Sequence, residues 1–206
     1  MNATDAIFYI LILIMSVVIH EISHGFMAEY FGDKTARLAG RLTLNPLKHL
    51  DPMGSIMIPA ILVLTHSPFM IGWARPVPYN PDNLSNKKWG TIAVASAGVA
   101  ANFFLAIFFG LILRFSVGAN LPVGFFTIVS SIVIVNIALG IFNLVPIPPL
   151  DGSKILFNLL PASLYSKIEL IERYSLFLVL IFVIFFSGYL LPIMTFLFHL
   201  ITGLAL

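Results

Sequence analysis

The stretch VVIHEISHGFMAEYFGD, residues 17–33, closes an apolar run that begins near Ala6. A membrane-spanning helix needs ~20 mostly apolar residues, and 6–30 meets that length. Within it stand His20, Glu21 and His24. Ionisable groups in such a segment are costly and mark a functional site by default. His20-Glu21-Ile22-Ser23-His24 fits the pattern H-E-x-x-H. On a helix, positions i and i+4 lie one turn apart on one face, so two imidazoles can meet one metal ion. Glu21 sits about 100° around the axis from His20, beside the metal rather than on it. There a carboxylate can take a proton from water and later pass it to a leaving amine. The plainer alternative is a set of polar residues at a helix end near the membrane interface.

The rest of the chain agrees with a membrane setting. Of 206 residues, 59% are hydrophobic and 10% charged, against about 25% charged in a typical soluble domain. Mean hydropathy is +1.02. There is no cysteine, hence no disulfide framework and no thiolate metal site. No basic, aromatic-interleaved surface suggests nucleic acid as a partner. The first apolar run lacks a basic n-region and reads as a retained helix. Further spans are expected over 91–115, 123–142 and 175–191. Pro192 sets off 193–206 as another span or a re-entrant piece. The run 54–65 is short and carries Pro59, so it reads as re-entrant. The segment ARLAGRLTL (36–44) alternates in part and suggests a strand or hairpin. The fold class expected is thus an all-α polytopic membrane protein. It has about four to six transmembrane helices and a small membrane-associated β-hairpin or re-entrant element.

Sidedness follows from the cations. With 54–65 re-entrant, Lys34, Arg37, Arg41, Lys48, Arg75, Lys87, Lys88, Lys154, Lys167 and Arg173 share one face, and only Arg114 lies near the other. Lys/Arg bias of this kind marks the cytoplasmic side.

Two histidines do not complete a catalytic metal site, which usually has three protein ligands and an open position. His49, His66 and His199 remain, with eight acids outside the motif. Most of those acids sit in polar loops or at segment ends. Asp151 differs. It follows NLVPIPPL (143–150), where prolines forbid regular helix directly after a span. Such a break lets a carboxylate face a polar cavity at membrane depth.

HEISH together with NLVPIPPLDG (143–152) resembles the site-2 protease family of intramembrane zinc metalloproteases, marked by H-E-x-x-H and N-x-x-P-x-P-x-L-D-G. GVAAN, with Gly98 and Asn102, resembles the family's weaker G-x-x-x-N. The resemblance implies that His20, His24 and Asp151 bind one Zn2+ and that Glu21 is the catalytic base. With no PDZ domain between the motifs and no CBS pair, the chain is similar to a minimal member. It reads as one intramembrane metalloprotease domain over 1–206, with a catalytic core of about 6–160 and C-terminal spans over about 175–206. The implied partners are a transmembrane protein substrate, the lipid bilayer and a membrane regulator. The implied place is a prokaryotic cell membrane, with the active site toward the cytoplasm. That side agrees with the cation bias: 123–142 runs inward and delivers Asp151 to the depth of His20.

An oxyanion formed in hydrolysis needs donors, and Asn143 and Asn102 are candidates for holding it or the substrate backbone. The alternatives are a loop turn for Asn143 and a helix–helix hydrogen bond for Asn102. The extended segments 37–44 and 72–79 offer a strand edge to an unwound substrate. Two other functions stand beside proteolysis: an inactive zinc-binding scaffold for transmembrane segments, and a zinc transporter. A transporter needs a polar path that spans 91–115 and 175–191 do not supply. Di-iron lipid enzymes need more than five histidines.

Overall fold

A computed structural model describes residues 3–65 and 72–205. Nine α-helices are described: α1 Ala3–Tyr30, α2 Thr35–Leu38, α3 Ile58–Leu64, α4 Lys87–Phe115, α5 Val123–Leu144, α6 Asp151–Leu159, α7 Tyr165–Arg173, α8 Ser175–Ile181 and α9 Leu190–Thr202. Four stretches are long and apolar enough to cross a membrane: Ile7–Tyr30, Lys87–Phe115, Val123–Leu144 and Ser175–Thr202. The last joins α8 and α9 through a π turn (Phe182–Phe186) and a 3-10 turn (Ser187–Tyr189). Pro192 does not divide it, because it is the third residue of α9. In a helix's first turn a missing N–H breaks no bond. The seven residues of α3 rise only about 10 Å, a third of the ~30 Å hydrocarbon core. The chain is therefore an integral membrane protein with four candidate spans among its described residues.

Helix α4 is the centre of the bundle and packs against α1, α5, α6 and α9. Its buried face carries Gly90, Ala95, Ala97, Gly98, Ala106 and Gly110. Lipid tails are as apolar as leucine, so close van der Waals approach must hold spans together, and small residues permit it. Ala106 and Leu113 of α4, Val129, Val133, Ile137 and Ile141 of α5, and Phe198 of α9 form the buried core. At the far end, Arg114 donates to the carbonyls of Leu200 and Ile201, satisfying acceptors in the last turn of α9.

Residues 36–44 form no hairpin, and no strand occurs among the described residues. Residues 35–38 form α2 instead, preceded by a turn in which Asp33 accepts from the Thr35 N–H at 3.1 Å and from the Thr35 hydroxyl. Residues 72–80 form neither helix nor assigned strand, and their bonded N–H groups at 73, 75 and 77 make them a strap over Gly54, His49 and Glu21. Trp73 N–H donates to Gly54 O (3.2 Å), Arg75 N–H to His49 O (2.8 Å) and Val77 N–H to the Glu21 carboxylate (2.8 Å). An extended chain alternates the side to which its N–H groups point. Pro76 and Pro78 fall on the other side, where they have no N–H to offer, so a ladder cannot build there.

The strap ends at Asp33, which is fully buried and accepts from Asn80 N–H (2.7 Å) and Asn83 Nδ2 (2.9 Å). Burial alone would raise this carboxyl. The bonds from Thr35, Asn83 and Asn80 outweigh it and hold the group below its ordinary value. Its stabilisation is complete above the unfolded pKa of about 3.9 and disappears as pH falls through the lower folded value. Asp33→Asn is therefore expected to flatten the acid limb of thermal stability against pH. An unchanged acid limb in that variant would show the clamp does not titrate as described.

Candidate metal centre

His20 and His24 occupy one face of α1 and are 5% and 8% exposed. Each ring is tied at Nδ1. His24 Nδ1 lies 2.7 Å from the main-chain carbonyl of Val94. A carbonyl only accepts, so the proton is on Nδ1. His20 Nδ1 lies 2.7 Å from Asn102 Oδ1, whose amide nitrogen is turned away to donate to Asn136 Oδ1 at 2.9 Å. His20 Nδ1 is thus also the protonated nitrogen. In the neutral rings both Nε2 atoms then keep a lone pair, and they converge at 3.0 Å.

Asp151 opens α6 after the proline break, and Leu150 N–H and Ser153 N–H close the turns around it. Its Oδ2 lies 3.1 Å from His20 Nε2 and 3.2 Å from His24 Nε2. It is buried with no hydrogen-bond donor. The second carboxylate oxygen faces Lys154 Nζ at 3.7 Å. Three lone-pair atoms at this spacing, with both ring protons committed elsewhere, repel one another unless a cation sits among them. Tetrahedral zinc with bonds of ~2.0–2.1 Å sets its ligand atoms ~3.3 Å apart. The observed 3.0–3.2 Å fits that frame.

Glu21 is half-buried. It belongs with His20 and His24 to a group whose donor atoms lie within 4.8 Å of one another. Its Oε2 is occupied by the Val77 N–H of the strap. Asp151 Oδ2, in contact with both Nε2 atoms, is the better placed third donor, and Glu21 stands beside the cluster.

Two glycines make the convergence possible. A Cβ on Gly98 would lie 2.6 Å from ring atoms of both His20 and His24. A Cβ on Gly152 would lie 2.1 Å from Leu144 O. The first lets α4 abut the two rings. The second lets α6 tuck under the end of α5 so that Asp151 arrives. Gly98→Ala is expected to push the rings off their positions and weaken zinc binding by about 10–100-fold, the range seen when ligand support is lost. Equilibrium competition with a chromophoric chelator measures this; unaltered affinity would refute the close-contact argument.

Asn102 is turned toward the neighbouring helices. It is fully buried, and both its polar atoms are engaged. Its bonds join α4 to α1 and α5, the helix–helix role that stood as the alternative to an oxyanion donor. Asn143 is half-buried at the end of α5. Its Nδ2 donates to Leu139 O at 2.9 Å, which leaves a second N–H. His49 is buried in the loop beneath the strap, with Nε2 on Thr43 O. His199 makes one local contact, to Leu204 O. His66 lies outside the described residues. The supporting groups Val94 O, Val77 N–H, Asn136 and Ser16 are not in the sequence reading. Only Asn136 had a local signal: an amide in the middle of a strongly apolar span.

A family model, Peptidase family M50, matches residues 115–187. A Bacillus subtilis (strain 168) protein named "Putative zinc metalloprotease YwhC" is 38% identical over 180 residues, 84% of this chain and 78% of that protein. The Mycolicibacterium smegmatis (strain ATCC 700084 / mc(2)155) "Putative zinc metalloprotease Rip2" is 34% identical over 140 residues, 68% of this chain and 52% of that protein. No solved structure matches.

Proposed function

This chain belongs to peptidase family M50, the site-2 proteases, and from that premise we propose that it is an intramembrane zinc endopeptidase. It hydrolyses peptide bonds within or near transmembrane segments of membrane proteins. Zinc is its cofactor. The observation that carries the reading is the convergence of His20 Nε2, His24 Nε2 and Asp151 Oδ2 beside Glu21. His20, His24 and Asp151 are the ligands in this reading. When bound, the ion supplies Lewis-acid polarisation of a carbonyl and makes water acidic enough to lose its proton near neutral pH.

The chain's own groups do the rest. Glu21 is the base and then the acid. The Val77 N–H holds Oε2, leaving Oε1 to take a proton from water and deliver it to the leaving amine nitrogen. The second N–H of Asn143 is the donor for the oxyanion or the substrate backbone, at the mouth of the break that carries Asp151. Asn102 fixes the His20 ring.

The whole chain is read as one domain, supported by the packing of α9 on α4 and α5. The site faces the cytoplasm in this reading. All cations except Arg114 fall between α1 and the first turn of α4 or between α5 and α8, and both motifs lie at that end. The bacterial relatives support a prokaryotic cell membrane. A transmembrane substrate hides its carbonyls in helix hydrogen bonds and must unwind before attack.

The test uses purified protein in proteoliposomes with single-span substrates and measures cleavage products by mass spectrometry. Cleavage inside or beside the span, lost on zinc chelation and restored by zinc, is the expected result. Binding of spans without hydrolysis in zinc-loaded protein would favour a scaffold and reject the proposal.

A further inference from the structure

Behind the metal centre, a chain of hydrogen bonds crosses three helices without reaching solvent. Ser16 of α1, Asn102 of α4 and Asn136 of α5 are 4%, 0% and 0% exposed. Asn136 Nδ2 donates to Ile132 O at 2.9 Å and to Ser16 Oγ at 3.0 Å. Asn102 Nδ2 donates to Asn136 Oδ1 at 2.9 Å. His20 Nδ1 meets Asn102 Oδ1 at 2.7 Å.

We propose that Asn136 is a positioning residue of the metal centre, which decides through Asn102 which nitrogen of His20 faces the metal. The inference rests on the reading of His20 as a ligand. A side-chain amide has two orientations, with the oxygen or the nitrogen toward a given neighbour, and the partners choose between them. The anchor is Ile132 O. A main-chain carbonyl accepts only, so the Asn136 nitrogen must turn to it, and its other hydrogen goes to Ser16. Asn136 Oδ1 is then the atom presented to α4. It accepts only, so Asn102 must present its nitrogen there and its oxygen to His20. The oxygen requires a proton on His20 Nδ1, and a neutral imidazole has one N–H, so Nε2 is left with its lone pair. With Asn102 reversed, its NH2 would face Nδ1 and move the ring proton to Nε2. An N–H would then point at Asp151 where the ligand lone pair belongs. The atom that meets the metal is thus chosen by a backbone carbonyl three residues away in the chain of bonds. Outer partners of this kind fix tautomer and ring direction in metal sites generally.

The test compares zinc affinity in two backgrounds, using purified protein and chelator competition. Asn136→Leu is near-isosteric and removes the amide. It is expected to weaken zinc by about 10–100-fold and to replace the single His20 tautomer with a mixture in 15N ring shifts. Asn102→Asp supplies the control. Both carboxylate oxygens accept, so its orientation no longer matters to His20. In Asn102→Asp a carboxylate oxygen faces the accepting Asn136 Oδ1, so adding Asn136→Leu to that background is expected to cause no further loss of affinity, and relief of that contact can only raise it. Equal losses in both backgrounds would mean that Asn136 only packs, and unchanged affinity in Asn136→Leu would remove its role altogether. Either overturns the inference. Asn136→Ala, which cannot overpack the site, is held to the same outcomes should Asn136→Leu not fold. His20→Ala separates this inference from the reading beneath it. Native-like zinc binding in His20→Ala would defeat the ligand reading. Lost binding there, with Asn136→Leu unaffected, would defeat the positioning inference alone.

Discussion

Glu21→Gln is expected to lose cleavage by about 10²–10⁴-fold, the range typical of a removed general base or acid, while keeping its zinc. The two halves of that result have separate causes. Glutamine has nearly the same shape, and its amide oxygen still accepts the Val77 N–H that holds Glu21 Oε2 at 2.8 Å. The strap therefore stays seated. The donor atoms of His20, His24 and Asp151 are untouched, because Glu21 stands beside their cluster. What disappears is a group that can carry a proton. Zinc content by elemental analysis and turnover of a single-span substrate, measured on one preparation, check both halves. Undiminished turnover would strip Glu21 of its role. Lost zinc would make it a ligand instead.

If His20 and Asp151 are ligands as proposed, Asp151→Ala and His20→Ala are each expected to weaken zinc by more than the ~10–100-fold cost of losing an outer partner. The helices should survive. Asp151 sits on the short α6 rather than on a span, and its Oδ2 has no hydrogen-bond donor in the protein to lose. The helical signal by circular dichroism should match the native protein while chelator competition shows the loss. Asp151→Ala with native affinity would leave His20, His24 and Glu21 as the donor set and overturn the role proposed for Asp151. Lys154, 3.7 Å from Asp151 Oδ1, would then have balanced a carboxylate without metal.

The legible parts of this protein share one property: they are local. His20, Glu21 and His24 fall within five positions, so helix periodicity alone places them around one axis. The prolines of 143–150 announce a break wherever the chain folds, because they lack N–H groups in any conformation. The spans follow from length and apolarity. The misread parts depend on partners far along the chain. The alternation in 36–44 suggested a hairpin, but residues 35–38 are helical, after a turn at Asp33 that is tied to Asn80 and Asn83. Pro192 suggested a divide, but its place in the first turn of α9 is a matter of register that proline itself does not reveal. For Asn102 the residues alone leave substrate donor and helix–helix bond open, because its partners, His20 and Asn136, are 82 and 34 positions away.

By itself, then, the sequence determined an all-α membrane chain of about four to six spans, with a metal motif near one end of the first helix and a carboxylate behind a proline break. Tertiary structure alone decided how those pieces become a site. Gly98 lets α4 touch the two rings, and Gly152 lets α6 deliver Asp151. Val94 O and the Ser16–Asn136–Asn102 chain settle where the ring protons sit. The strap places an amide on Glu21. The physical reason is the same throughout. Residue type sets which atoms can donate, accept or ligate, but a hydrogen-bond direction is chosen by the partner. In a membrane bundle, those partners come from other helices.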